Sequence, residues 1–242
     1  RLDSAAWLDA ARRQEPARGA AARRPAAAWA DARMPWRRLL VPTLVALPVL
    51  LVLLALGTWQ VQRLHWKAGL LARIDAAEAG PALPLGAATP ARYAKVAATG
   101  RFDHAREALL GLEVRGTVLG AHLLTPLLAE DGGPALLVDR GWVPLERGQP
   151  VARPEGVVSV TGYVRPGDEP GRFAARDDPA GRRFYSFVPA AIGRALDLPA
   201  VAPFGLVALA APDSSADALP IAARTIPRPT NPHLGYAITW YG

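Results

Sequence analysis

The sequence predicts a membrane-anchored α+β protein in which an N-terminal transmembrane helix precedes a β-rich domain. Three observations predict this class. An uncharged apolar run extends from Leu39 to Leu56. From position 91 onward, short runs with strand character alternate with turns rich in Gly and Pro. A second apolar and aromatic stretch begins at His233 and continues to Gly242.

Charge and composition narrow the classes of function. The formal net charge is +7, and nine arginines and four acids precede the apolar run, so most of the surplus positive charge lies there. A nucleic-acid-binding protein carries its basic surface on the folded domain, so we expect no nucleic-acid partner. Basic residues beside a membrane span instead orient it and contact lipid headgroups. The absence of cysteine excludes disulfides, thiolate catalysis and cysteine-ligated metals.

The first segment, residues 1–33, is rich in Ala and Arg and shows no sustained periodicity. We assign it no fold and leave two interpretations open. It is a disordered basic tail, or it is a mis-assigned upstream segment and the protein starts at Met34, its single methionine.

The apolar run predicts a membrane span at Leu39–Trp59, because its 18 uncharged residues cover most of a hydrocarbon core about 30 Å thick. Trp59 suits the interface. We expect the N-terminus inside and the domain on the extracytoplasmic side. The alternative is a cleaved signal peptide, since Ala55 and Gly57 are small residues at cleavage spacing. Helical spacing continues past the span, so we expect segment 34–75 to end as an amphipathic interfacial helix at Asp75.

A linker (76–90) and a β-rich domain (91–226) follow. The domain is expected to be an antiparallel sheet or a partial barrel with one short helix, Pro189–Leu196. The predicted strands are Tyr93–Gly100, Ala108–Val114, Val118–Pro126, Ala135–Val143, Gly156–Val164, Arg183–Val188 and Phe204–Ala210.

The last segment, 227–242, predicts an extended lead-in and then the first turns of a truncated second transmembrane helix. Three prolines keep Ile226–Pro232 extended. Asn231 can cap a helix in which Pro232 is the first residue. On that helix His233, Tyr236 and Trp240 share one face, and their aromatic density is typical of a membrane interface.

Three blocks of residues, in order, resemble the Surfeit locus protein 1 family of cytochrome c oxidase assembly factors. The first runs from Gly57 through Trp59, Gln60, Arg63 and Trp66 to Lys67. The second joins Gly120, His122, Thr125 and Pro126 to the run Leu137–Pro144. The third is Asn231, His233, Leu234, Tyr236, Ala237 and Thr239–Gly242. The resemblance covers Met34 to the C-terminus, but the second span is not complete here, and Val188 stands where the family pattern has an acid.

The resemblance implies a protein of the bacterial inner membrane that assists insertion of haem a into oxidase subunit I. The implied partners are subunit I, the haem a synthesis machinery and membrane lipid. It also implies haem binding through a histidine near the second span, which is His233 here.

The candidate site residues each have a plainer alternative. His233 would ligate haem iron with Tyr236 and Trp240 lining the porphyrin, or it is an interfacial histidine bonded to headgroups. His65 is a weaker candidate for a second ligand. Gln60, Arg63 and Lys67 would meet the haem propionates, or the two cations only anchor the helix at the interface.

Other polar residues of the blocks are expected to be structural. We expect Arg140 to pair with an acid, Gly141 to mark a bulge or close backbone approach, Trp142 to pack and His122 to be a satisfied or exposed side chain. We expect no enzymatic activity, because Ser186, His122 and Asp139 could form a triad on paper but no Gly-x-Ser-x-Gly elbow accompanies them. The rival functions are a scaffold for oxidase assembly that does not bind haem, and a secreted binding module.

Overall fold

The computed structural model describes residues 36–86, 88–146, 148–212, 214–215 and 217–242, with side chains from Leu39 onward. The expectations for residues 1–33 and for a start at Met34 lie outside the described residues.

Helix α1 (Trp36–Ala79) is a single helix of 44 residues. In the described part of the chain it is the one helix that is long and apolar enough to cross a membrane. Apart from the half-buried Leu53, its large apolar side chains from Leu39 to Leu54 are between 43% and 70% exposed, because nothing in the domain packs over them. The helix extends past Asp75, where the sequence places its end, and stops before Gly80.

Eight strands and two further helices follow α1. The strands are β1 Leu83–Pro84, β2 Lys95–Phe102, β3 Ala108–Arg115, β4 Val118–Leu128, β5 Ala135–Pro144, β6 Val157–Pro166, β7 Arg183–Phe184 and β8 Val201–Ala208. The helices are α2 Pro189–Ala195 and α3 His233–Tyr241, and a short 3-10 turn lies at His104–Arg106.

Five strands form a closed barrel in the order β2, β6, β8, β5 and β4. Pairing of Arg101 with Leu128 and of Phe102 with Leu127 joins β2 to β4 and closes it. Closure corrects the expected open sheet or partial barrel. The expectation of a wholly antiparallel sheet is also wrong, since β5 and β8 are parallel. After α2 the chain forms β8, which lies between β6 and β5. Because β8 is antiparallel to β6, it runs in the same direction as β5.

Short strands extend this barrel on both sides. β3 pairs with β4, and β7 adds to β3. β1, which lies in the region predicted to be a linker, pairs with β2. The strand predicted at Arg183–Val188 is only two residues long, because side-chain carboxylates accept the hydrogen bonds of backbone N–H groups that follow Phe184. Tyr185 N–H donates to Asp177 and Phe187 N–H donates to Asp168.

Two apolar clusters cover the two faces of the barrel wall. Alternate residues of the strands, including Val96, Val138 and Leu206, fill the interior. On the outer face, Phe187 and the α2 residue Ile192 pack against β3, β4 and β5. Strand β5 is buried on both faces, so the polar side chains it carries must find partners within the protein.

Candidate functional site

The C-terminal segment runs antiparallel along α1, from the end of that helix back toward its apolar part. Four hydrogen bonds define this path, joining Glu78 to Ile226, Lys67 to Thr230, Leu64 to Asn231 and Gln60 to His233. The α1 residues are three or four apart, or multiples of such steps, and therefore lie on one face of the helix. We call this face, defined by Gly57, Gln60, Leu64, Lys67 and Glu78, the contact stripe.

At the upper end of the contact stripe, Glu78 makes both a backbone hydrogen bond and an ion pair. Glu78 accepts the Ile226 N–H at 2.8 Å and pairs with the Arg228 guanidinium. The Ile226 N–H and then Arg228 lower the pKa of the Glu78 carboxyl below its ordinary value. Arg228 also pairs with Asp75 at 3.0 Å. The domain is therefore joined to α1 just before the lead-in begins.

The imidazole of His233 is held by a single hydrogen bond to α1. Its Nδ1 lies 2.7 Å from Oε1 of Gln60, which is only 8% exposed. A carbonyl oxygen can only accept, so Nδ1 carries the proton and donates it. The other ring nitrogen, Nε2, is then the one with a free lone pair.

That second nitrogen has no partner among the described residues. Nε2 of His233 is buried and makes no hydrogen bond. The Oδ1 atom of Asn231 and Nε1 of Trp240 are buried and unpartnered as well. Since buried polar atoms are normally satisfied, three unpartnered atoms on the C-terminal segment mark a place that can take a ligand.

Helix α3 packs closely on the contact stripe. Ala237 is buried, and the ring of Tyr241 covers Gly57, where a Cβ atom would lie 2.6 Å from that ring. The Tyr241 hydroxyl lies 3.0 Å from Oγ1 of Thr58. Tyr236 is 54% exposed, so of the three aromatic residues predicted to share a face it is the one directed away from α1.

The other predicted site residues of α1 lie in different places. Lys67 donates to the Thr230 carbonyl at 2.5 Å. Arg63 stacks on Trp66, with its guanidinium carbon 4.1 Å from the ring centroid. His65 is exposed, and its position five residues from Gln60 turns it away from the contact stripe. Thus Gln60 and Lys67 form hydrogen bonds with the C-terminal segment. Among the described residues, Arg63 and His65 form no hydrogen bond with it.

A second histidine, His122 on β4, lies in the barrel wall between two carboxylates. Its Nδ1 is 3.0 Å from Asp139, and its Nε2 is 3.0 Å from Glu113. The hydrogen bond to Asp139 is the main cause that raises the pKa of His122, against the opposing effect of burial. Both nitrogens donate to acceptors, so the ring is saturated and reaches no serine hydroxyl.

Two bulges aim these carboxylates at His122. On β3 the register shifts between Leu110 and Glu113, next to Gly111, and on β5 it shifts between Asp139 and Trp142, at Gly141. An extra residue at each side of His122 redirects the neighbouring side chains toward it. No sequence pattern indicated Glu113, because its partner lies on another strand.

The block Arg140-Gly141-Trp142 is structural, as predicted. Arg140 pairs with Glu107 at 3.5 Å. Gly141 has a φ of 122°, and a Cβ atom there would lie 2.2 Å from the Ile221 carbonyl oxygen, so the close approach requires glycine. Trp142 is buried, and its indole N–H donates to the Glu113 carbonyl.

These features define a class of protein: a small β-barrel joined to an apolar helix, with a histidine presented at the pairing of that helix and the C-terminal one. Comparison with known proteins identifies the family. The SURF1 family model matches residues 47–242. The chain belongs to the SURF1 family, which confirms the resemblance seen in the sequence.

Named relatives agree with this assignment. Surfeit locus protein 1 of Mus musculus is 30% identical over 238 residues, covering 88% of this chain and 72% of the relative. The protein of the same name from Xenopus tropicalis is 28% identical over 235 residues, with the same coverage. Cytochrome oxidase assembly protein SHY1 of Saccharomyces cerevisiae is 31% identical over 161 residues, covering 60% of this chain and 41% of the relative.

Proposed function

We propose that this protein assists the assembly of cytochrome oxidase as a membrane-anchored factor that holds haem a through His233 and hands it on. The family and the name of the Saccharomyces cerevisiae relative support a role in the assembly of cytochrome oxidase. That name describes an assembly protein rather than an enzyme, which supports the expectation that this chain catalyses no reaction.

The unpartnered Nε2 of His233 carries the haem proposal. A neutral imidazole nitrogen with a free lone pair is the usual protein ligand of haem iron, so the residues present fit the group. The haem would bring an iron centre to be delivered, while the protein only binds, orients and releases it. Lys67, about two helical turns from Gln60 on the contact stripe, would meet the propionates.

The exposed apolar surface of α1 supports the membrane anchor. Large side chains such as Leu44 and Val41 are 70% and 69% exposed, and a bare surface of this kind on a long helix needs lipid around it. We place Leu39–Trp59 in the bacterial inner membrane with the barrel on the periplasmic side, where it would dock on oxidase subunit I.

A scaffold that never touches haem is the second candidate, and the enclosure of Nε2 favours it. Protein atoms surround this nitrogen, so a ligand reaches it only after α3 shifts on α1. A purely structural helix pair needs no such movement.

The absorption spectrum separates these two functions. The chain is expressed in a host that makes haem a, purified in detergent, and compared with His233→Ala. We expect a Soret band at one haem per chain and its loss in the variant. His65→Ala is the matched control, since His65 is an exposed histidine of α1 that is directed away from the contact stripe. Stoichiometric haem in His233→Ala rejects ligation by His233, and no haem in the unaltered chain supports the scaffold.

A further inference from the structure

Gln60 occupies an unusual place on α1. Within the described part of that helix it is the one polar residue classed as buried, at 8% exposure, although its neighbours Trp59 and Gln62 are exposed. Burying an amide is unfavourable unless the amide is hydrogen-bonded. Its carbonyl meets that need through His233, 173 residues away in the chain. The hydrogen bond to His233 therefore satisfies the buried carbonyl of Gln60 where α1 meets α3.

This hydrogen bond selects one of the two neutral forms of the imidazole. Oε1 of Gln60 can only accept, so the form with the proton on Nδ1 is stabilised. The form with the proton on Nε2 would require Gln60 to turn its amide away from this arrangement so that the NH2 group donates to Nδ1, and it would bury an unpartnered N–H. Both effects disfavour that form.

We infer that Gln60 is the positioning residue of His233: by accepting the Nδ1 proton at 2.7 Å it fixes the tautomer and ring orientation that leave Nε2 free to ligate iron. This inference rests on the proposed function only where it concerns haem; the tautomer itself exists without haem. It gives Gln60 a role other than the contact with propionates expected from the sequence, because its carbonyl is already committed to the imidazole.

A glutamine suits this position better than an acid for a site that must release its ligand. A hydrogen-bond acceptor on the distal nitrogen of a metal-bound histidine makes that histidine a stronger donor to the metal, and a carboxylate does so more than an amide. The amide is also neutral at every accessible pH, so the tautomer it selects does not change with protonation. Gln60 therefore orients His233 and strengthens iron binding moderately.

The first experiment uses the haem-free chain in detergent with ¹⁵N-labelled histidine. The chain has four histidines, and His233→Ala assigns the signals of His233. We expect ¹⁵N shifts of a neutral ring protonated at Nδ1. In Gln60→Leu we expect the signals to move toward the form protonated at Nε2. Gln62→Leu, an exposed glutamine of the same helix, is the control and should change nothing. Unchanged signals in Gln60→Leu overturn the inference.

The second experiment titrates the same proteins with ferric haem b as the probe. We expect Gln60→Leu to bind about 10- to 100-fold more weakly, Gln62→Leu to bind normally, and Gln60→Glu to bind with a lower reduction potential than the unaltered chain. Retained binding by Gln60→Glu shows that the helix pair tolerates substitution at this position.

The outcomes keep the two proposals apart. If His233→Ala binds haem b normally, ligation by His233 fails whatever the tautomer. If His233→Ala loses binding while Gln60→Leu keeps both affinity and potential, ligation by His233 stands and the positioning role of Gln60 is rejected.

Discussion

Two histidines of the sequence blocks, His122 and His233, lie in opposite chemical situations. His122 in the barrel wall bonds a carboxylate with each ring nitrogen, at 3.0 Å on both sides. His233 in the helix pair bonds one neutral carbonyl and leaves its other nitrogen buried without a partner. The partners of the first ring are two carboxylates, whereas the partner of the second is a neutral amide.

The difference teaches how a histidine that supports a fold can be told from one that can take a ligand. A doubly bonded ring has no lone pair to offer, and it ties three strands together at the bulges around it. A ring with one hydrogen bond and one buried, unpartnered nitrogen stabilises the fold less than a doubly bonded ring. The unpartnered nitrogen is the atom that a ligand site needs. Four variants sharpen this contrast.

The largest effect is expected at Asp139, which is 4% exposed. Asp139→Ala removes the partner of both the His122 ring and the Gly141 N–H, leaving a partly buried cation and an unsatisfied donor. We expect a loss of about 3 kcal/mol in the free energy of unfolding, measured by denaturant titration of the detergent-solubilised chain. Asp131→Ala, which removes only a turn contact to Gly133, is the control. Equal stability of the two variants contradicts a structural role for the His122 cluster.

The next effect concerns the packing of the helix pair. Gly57→Leu forces the Tyr241 ring off α1, since even a Cβ atom would lie 2.6 Å from it. We expect amide hydrogen exchange in α3 to rise about tenfold or more, as overpacking usually costs about 1–3 kcal/mol. Gly69→Leu places the same side chain where nothing lies within 4 Å and should leave α3 unchanged. A similar rise in both variants would mean that Tyr241 does not hold the pair.

A smaller effect is expected on the pH dependence of stability. Hydrogen bonding to Asp139, and more weakly to Glu113, raises the pKa of His122 above its ordinary 6.5. The folded state thus binds this proton more tightly than the unfolded state. The resulting stability is complete below pH 6.5 and is lost as the pH rises through the raised pKa. We expect a decline of up to about 1 kcal/mol.

The variant His122→Gln tests that decline, because glutamine does not titrate. Its stability, measured by the same denaturant titration at each pH, should not fall over this range. An identical decline in both proteins assigns the pH dependence to other groups.

The smallest effect is expected at the upper end of the contact stripe. Glu78→Gln keeps an acceptor for the Ile226 N–H but loses the ion pair with the exposed Arg228. Hydrogen exchange at the Ile226 amide should rise by less than about twofold. Asp75→Asn, which touches only Arg228, should change it less still. A large rise in Glu78→Gln would show that charge, rather than the backbone contact, holds the lead-in.

Features encoded by local pattern were predictable from the sequence. The apolar run predicts α1, the runs with strand character between Gly- and Pro-rich turns predict the long strands, and the Pro-rich stretch predicts a segment without helix or strand before α3. Gly141 was predictable as a close approach, because a glycine between Arg and Trp in a buried strand has few other uses.

Features that depend on distant pairing were not predictable. Closure of the barrel depends on two residue pairs between β2 and β4, and the parallel pairing of β8 depends on where the chain returns after α2. The sequence singled out both Gln60 and His233, but no periodicity links residues 173 positions apart, so their hydrogen bond could not be predicted. Glu113 was missed for the same reason.

The lead-in between Ile226 and His233 has a further consequence, which follows from its length. Glu78 and Gln60 are 18 residues apart on α1, or about 27 Å along the helix axis. The seven residue steps from Ile226 to His233 reach about 25 Å when fully extended. The lead-in is therefore taut, and Pro227 and Pro229 keep it so. The number of residues in the lead-in, more than any single contact, therefore sets the position of His233 along the axis of α1.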